Sequence, residues 1–510
     1  MMFYNAATDL IDRNLTDRSD KIAYMDNAGV YSFGELARRV DRFAGYLVDI
    51  GLPAESRILI ALLDGIDFPV TCLGAIKAGM VPVMVNPLLP SADFAYMLAD
   101  SRARMLVASA ETWPAFAPVV GLHRHLAHIM VSGDARSCGQ PALSDAIAGA
   151  SAIARSADTR ADDVCLWQYS SGSTGRPKGT MHAHGTIASL IDLYPKQVLG
   201  ITEKDISFSA AKLFFGYGFG NGVVFPLASG ATAILMSDRP SPEAVWARIC
   251  IHRPTLFFGV PTLYNSMLAS PAAADPEMIN LRLCVSAGEA LPAEIGRQFE
   301  ERFGVPILNG LGSTEMFHMY LSSTADDNDY EASGRAVEGY EMKLVDGDGT
   351  EVADGEVGEL HVKGPTSAIG YWCNRDRSKA TFRGEWVKTG DTFTRTAEGR
   401  YIFRGRADDL MKVGGIYVSP TEVEGALIAH RHVREAVVVG QADEAGLIKP
   451  KAFVVPATPV SDPADFVADL KSHVKLMLAP YKYPRWIEIV DELPKTATGK
   501  IERYKLREQS

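Results

Sequence analysis

The chain has 510 residues, 47% of them hydrophobic and 22% charged, with a net charge of −11 at pH 7. That length exceeds what one hydrophobic core sustains, so two or more domains are expected. The acidic balance argues against a nucleic-acid partner, and no apolar run reaches the roughly 18 residues that a membrane span needs.

Six scattered cysteines without a CxxC pair predict reduced thiols in a cytosol, each a small buried hydrophobe. No basic segment precedes an apolar block near the first residue, so no secretory signal is expected. Residues 1–160 alternate helical and strand-like stretches. Ser32 reads as the N-cap of an amphipathic helix reaching about Ile50. The run 57–63 suits a buried parallel strand, 68–78 a helix and 81–85 the next strand, a βαβ rhythm that predicts an α/β architecture.

Residues 164–169 read as a buried strand delivering Ser170, Ser171, Gly172, Ser173, Thr174, Gly175, Arg176, Pro177 and Lys178. Small and hydroxyl residues leave N–H and O–H groups free to wrap a polyphosphate, and Lys178 adds a point charge. Neither a Walker A loop nor G-x-G-x-x-G fits here, and an ordinary Ser/Gly surface loop has the same composition. At 212–222 aromatic residues interleave with glycines around Gly216 and Tyr217. This is either a set of structural turns or a flat slot where backbone approaches a planar ligand.

Residues 255–262 read as an apolar strand ending in a turn. A second buried strand from Leu283 breaks before Gly288, Glu289 and Ala290. A strand over 305–308 then gives way to a loop holding Asn309, Gly310, Leu311, Gly312, Ser313, Thr314, Glu315, Phe317, His318 and Met319. Asn309 offers an acceptor and a donor to an adenine edge, Thr314 a hydroxyl to a phosphate, and Glu315 a hard oxygen to Mg²⁺. A plain strand-end loop explains the same pattern. His318 reads either as a satisfied core histidine or as a hydrogen-bonding pocket wall.

Residues 355–364 are hairpin-rich β structure, and Asp391 is expected at the turn that closes 386–391. Around 401–415 charges crowd one glycine ahead of the pair Gly414-Gly415, as a charged hairpin or a hinge. The remainder is a small α+β unit. It has a helix start at Ser419-Pro420, strands at 436–440 and 452–455, and a basic tail containing Lys500.

The loop at 170–178, the G-x-T-E run at 312–315, Asp391, the stretch from Arg406 to Asp408 and the Lys500 tail together resemble the adenylate-forming (acyl-CoA synthetase) superfamily. Nearest within it is the benzoate-CoA ligase group, along almost the whole chain. The resemblance implies a large α/β N-terminal domain, 1–407, made of two βαβ-type sheets plus a β-barrel-like part. A small mobile α+β C-terminal domain, 408–510, would turn about Asp408. ATP, Mg²⁺ and coenzyme A are implied as cosubstrates, with a small aromatic carboxylic acid as substrate. A homodimer in the cytoplasm, without membrane or nucleic acid, is implied as well.

By the same resemblance, Ser170 to Gly175 and Lys178 would hold the polyphosphate. Gly288, Glu289, Ala290 and the run from Asn309 to Ser313 would border adenine, with Leu311 where many relatives carry Tyr. Asp391 and Arg406 would take the ribose. Gly216, Tyr217, Phe317, His318 and Met319 would wall the acyl pocket, glycine at 216 leaving about a methyl's worth more room than alanine. Gly414 and Gly415 would line the CoA path. Lys500, Thr314 and Glu315 would be catalytic, Glu315 through Mg²⁺. The implied activity is ATP-dependent joining of benzoate, hydroxybenzoate or aminobenzoate to coenzyme A through an acyl-adenylate. The alternatives are an aryl-acid adenylating enzyme that loads a carrier protein, a CoA ligase for another small acid, a luciferase-like oxygenase, and a nucleotide-binding protein without catalysis.

Overall fold

Strands Arg57–Ala61, Val81–Met84 and Met105–Ser109 carry apolar side chains on both faces, and nearly every one of those residues is buried. Strands of this kind need cover above and below, the condition of a parallel sheet between helices. The computed structural model describes residues 3–170, 177–407, 411–413, 416–443, 447–479, 482–495 and 501–507. In it the three strands join a seven-stranded sheet. Its order runs Gly370–Tyr371, Lys178–Ala183, Val164–Ser170, Val81–Met84, Arg57–Ala61, Met105–Ser109, His128–Ser132. Only the first two junctions are antiparallel.

A nine-stranded sheet holds a second parallel run. Strands Ile206–Ser209, Leu256–Gly259, Leu283–Ser286 and Ile307–Gly312 lie side by side, so Gly259, Ser286 and Asn309 end in register. Ligands of open α/β sheets bind outside such carboxyl ends. A five-stranded antiparallel sheet follows, built on Glu341–Val345, Val357–Lys363, Trp386–Arg395 and Tyr401–Arg406. The C-terminal residues form a separate three-stranded sheet, Val433–Ala442, Ile448–Pro456 and Trp486–Ile489, with its own apolar cluster around Val438, Val454 and Leu470.

Several elements form as read. The helix Phe33–Asp49 starts at Ser32, whose hydroxyl accepts the Glu35 N–H, and Ser419 caps Pro420–Ile428 in the same way. Three expectations need correction. The strand at 307 does not stop at Leu308 but continues to Gly312, because the antiparallel partner Met319–Ser322 supplies hydrogen bonds along it. Asp391 is not at a turn: Trp386–Arg395 is one long strand, and Asp391 faces Arg406 across it. Cys373 is exposed, with Cys138 and Cys250 only part-buried, so burial describes just half of the cysteines. Among the described residues no helix is long and apolar enough to cross a membrane.

Candidate active site

The hairpin Val164–Ser170 and Lys178–Ala183 sets Ser170 directly opposite Lys178, and the Ser/Gly run joins the two strands. Residues 171–175 of that run lie outside the described residues. The Lys178 ammonium donates to Glu315 Oε1 at 2.9 Å and to the Tyr371 hydroxyl at 2.7 Å. Tyr371 in turn donates to the same Glu315 oxygen at 2.7 Å. Both charged side chains are largely removed from solvent, at 13% and 15% exposure. Burial opposes the charge on Glu315, but Lys178 and then Tyr371 outweigh it and hold the carboxyl below its usual range.

Tyr371 is a site residue that sequence reasoning missed. It stands 193 residues from Lys178, and only the pairing of Gly370–Tyr371 with the strand of Lys178 brings the two together. No local spacing could have signalled it.

Among the described residues no group of three or more His, Cys, Asp or Glu could hold a metal ion. Glu315 alone still suits Mg²⁺, which takes one or two carboxylates and otherwise phosphate and water oxygens. Its oxygen already accepts a cation in the form of the Lys178 ammonium.

Beyond Glu315 the crevice is walled by the Arg406–Asp391 pair, N–H to Oδ1 2.8 Å. Gly390 between them is required: it sits at φ +75°, and a methyl there would lie 2.8 Å from the guanidinium. The Asp391 carboxylate first, and the Glu315 carboxylate as well, favour the charged form of Arg406. Tyr320, fully buried beneath, keeps its phenol protonated through burial and the neighbouring Asp391 and Glu315 charges. Asn309, buried within the strand Ile307–Gly312, donates its side-chain N–H to Ala332 O at 3.3 Å. Gly288 takes φ +90°, and Glu289 beside it accepts the Ile501 backbone N–H at 3.1 Å. Thr314 and Glu315 lie in a short turn capped by Ser313, and the Thr314 carbonyl accepts His182 Nε2–H at 2.8 Å. That bond fixes the neutral tautomer of a histidine that burial brings down to about 4.

The aromatic-glycine segment is neither a set of turns nor an open slot. It winds as Gly216–Phe219, then the wider π-turns of Gly220–Val224, then Phe225–Ser229. π-turns recur at functional sites because they re-aim side chains. Here they aim Asn221 at His318, Nε2 to Oδ1 3.2 Å. Tyr194, Tyr217 and Phe225 surround the imidazole, and burial brings His318 down to about 3, so it is neutral at physiological pH. The Tyr217 backbone also bonds His318, and the Tyr217 side chain bonds Asn221. His318 is thus a hydrogen-bonded core histidine inside an aromatic cage. The Tyr217 hydroxyl reaches the strand-end carbonyl of Val285 at 3.1 Å. Met319 is buried against Gly310.

Phe317 is buried at φ +66°, ψ −52°, and His318 N–H closes a three-residue turn onto Met316 O at 2.8 Å. This is the rare strained γ-turn. It corrects the expectation for Gly216: a methyl there would sit 2.3 Å from the Phe317 carbonyl oxygen and 3.1 Å from Gln168 Oε1. The absent side chain makes room for backbone, not for a ring substituent. Asp408, Gly414, Gly415 and Lys500 lie outside the described residues.

A strand-end crevice with a buried Lys–Glu–Tyr triangle at one side and an Asp–Arg pair at the other defines a nucleotide-handling α/β enzyme. The chain belongs to the AMP-binding enzyme family: that family's profile matches residues 11–372, and the profile of the AMP-binding enzyme C-terminal domain matches 422–500. It is 54% identical over 507 residues to a benzoate–CoA ligase of Thauera aromatica, covering 99% of this chain and 96% of that protein. The crystal structure of a benzoate CoA ligase from Burkholderia xenovorans LB400 superposes with a TM-score of 0.93 at 47% identity, covering 99% of this chain and 100% of that one. An anthranilate CoA ligase in complex with anthranoyl-AMP gives 0.96 at 38% identity, covering 100% and 98%.

Proposed function

We propose that the protein is an ATP-dependent acid–thiol ligase that joins benzoate, or a hydroxy- or aminobenzoate, to coenzyme A and releases AMP and pyrophosphate. The observations that carry this reading are the buried Lys178–Glu315 pair, the Arg406–Asp391 pair and the aromatic cage of His318. The similarity to benzoate– and anthranilate–CoA ligases supports it.

A carboxylate does not react with a thiol in neutral water because hydroxide is a poor leaving group. In the first half-reaction the carboxylate oxygen attacks the α-phosphorus and pyrophosphate departs. Charge develops on non-bridging oxygens, so the protein's task is positioning and electrostatic stabilisation. Lys178 and the Ser170–Gly175 run hold the β- and γ-phosphates. Thr314 and Lys500 face the α-phosphate. Asp391 accepts from the ribose hydroxyls, with Arg406 fixing its carboxylate. Asn309, Gly288, Ala290 and Leu311 border the base. Mg²⁺, held through Glu315, supplies further charge neutralisation when bound. Tyr217, Phe317 and neutral His318 enclose the aromatic ring and exclude water.

In the second half-reaction the CoA thiol attacks the acyl carbon and AMP leaves. Residues 408–510 act as a separate lid that turns about Asp408, withdrawing Lys500 and presenting Gly414 and Gly415 to the thiol. A homodimer in the cytoplasm belongs to the same reading, and light scattering at twice the chain mass tests the dimer.

A panel of carboxylic acids assayed for ATP- and CoA-dependent AMP release tests the assignment. Benzoate or a monosubstituted benzoate should give the highest kcat/KM. Adenylate formation without transfer to free CoA would move the acceptor to a carrier-protein thiol. No AMP release with any aryl acid would remove the assignment.

A further inference from the structure

Glu315 Oε1 accepts two hydrogen bonds whose donors differ in kind. The ammonium of Lys178 is mobile, on a four-carbon stem, whereas the Tyr371 hydroxyl is fixed. Tyr371 lies on the short strand Gly370–Tyr371 against Thr180, and its ring packs on Phe382 at 5.3 Å. Burial first, then the Glu315 charge, keeps its phenol protonated throughout the physiological range. The hydroxyl has one proton. Glu315 at 2.7 Å claims it over Thr381 Oγ1 at 3.4 Å. Tyr371 therefore donates to Glu315, accepts from Lys178, and presents its ring face to the same ammonium at 4.2 Å. The preceding residues grip the same loop, since Ala368 N–H donates to Glu315 O and Thr366 Oγ1 to Met316 O, each at 2.8 Å.

We infer that Tyr371 is a positioning residue that holds Glu315 in place while Lys178 leaves it for the polyphosphate. Resting on the proposed function, the argument is one of charge. A carboxylate this buried needs a countercharge at all times, and the Lys178 ammonium provides one. Glu315 would hold the divalent cation that accompanies ATP, which would supply the countercharge there, and Lys178 would then be free to turn to the phosphates. Throughout the exchange Tyr371 keeps Oε1 pinned. Without the hydroxyl the carboxylate has Lys178 as its only side-chain partner at that oxygen, and the exchange becomes unfavourable.

The test is equilibrium binding of ATP by calorimetry across a Mg²⁺ titration, on the full chain, comparing wild type with Tyr371→Phe. Loss of one hydrogen bond to a charged group predicts that the Mg²⁺ concentration for half-maximal ATP binding rises about tenfold, with the affinity for benzoate and the melting temperature nearly unchanged. An unchanged Mg²⁺ dependence would overturn the inference, as would parallel losses of benzoate affinity and melting temperature, the mark of a merely structural tyrosine. Should Tyr371→Phe not fold, Lys178→Met tests the exchange from the other side. Relieved of its competitor, Glu315 should take Mn²⁺ alone at a concentration several-fold below wild type; equal or weaker Mn²⁺ binding contradicts the exchange. Wild-type benzoyl-adenylate formation is run alongside, so that failure of the assignment is told apart from failure of this inference.

Discussion

At the scale of single residues, the glycine at 216 and the histidines beside it make measurable claims. Gly216→Ala must push its methyl into the carbonyl of Phe317, a backbone atom that already sits in a strained turn. Overpacking of this kind costs about 1–3 kcal/mol. The variant should melt lower and lose kcat/KM for benzoate and substituted benzoates alike. A selective gain for unsubstituted benzoate, with stability intact, would show that the methyl enters the ring pocket after all. The buried histidines predict a pH effect of definite sign. His182 and His184 are held at about 4 and His318 at about 3, each by burial, against about 6.5 when unfolded. Their neutral forms are favoured in the fold, so this stability is fully present above pH 6.5 and is lost as pH falls toward 4. Each should contribute on the order of 3–5 kcal/mol. His184 offers the cleanest check, because its Nδ1 accepts the Ala6 N–H. In urea unfolding, His184→Asn should be less stable than wild type at pH 7 and converge with it near pH 4. A constant difference across that range would contradict the assignment.

Elements explain what could be read without a structure and what could not. Buried parallel strands are written locally as unbroken apolar runs, and Arg57–Ala61, Val81–Met84 and Leu283–Ser286 stand where those runs lie. Helix starts at Ser32 and Ser419 are local too, since the cap and the N–H that donates to it lie three residues apart. Aspartate is a common turn former, yet Asp391 lies mid-strand, and Gly390 before it serves the close approach of Arg406. The strand at 307 runs past Leu308 because its hydrogen-bonding partner, Met319–Ser322, returns only after the γ-turn. Tyr371 escaped notice because its role depends on an edge strand docking from a distant part of the chain. The strap that carries it gives a further prediction. Thr366 is fully buried and bonded to both Met316 O and Tyr340 OH. Thr366→Val leaves those groups without their partner and should cost about 1–3 kcal/mol. ATP affinity should fall with stability, as thermal melts with and without ATP would reveal; an unchanged melt would show that the strap does not secure the Glu315 loop.

Across the whole molecule, the hydrogen bonds that join the large and small domains include Ile501 N–H on Glu289 Oε1 at 3.1 Å and Asn265 on the Arg434 carbonyl at 2.7 Å. The first lies one residue after Lys500, and Glu289 lies beside Gly288 at the strand ends. Glu289→Ala should therefore slow adenylate formation more than transfer from supplied benzoyl-adenylate to CoA. Glu289→Gln, which keeps an acceptor oxygen, should recover most of the loss. Equal slowing of both half-reactions would mean that this contact does not select a domain arrangement. Lys500→Ala should show the same split more severely, with adenylate formation abolished and thioester formation spared.

The central claim is that the substrate's own carboxylate oxygen attacks the α-phosphorus of ATP. Carboxyl-[¹⁸O]benzoate turned over with ATP and CoA tests it most directly, by mass spectrometry of the products. An acyl-adenylate route delivers one labelled oxygen into AMP, because the bridging oxygen leaves with the nucleotide when the thiol attacks. Label in phosphate or pyrophosphate, with AMP unlabelled, would contradict it.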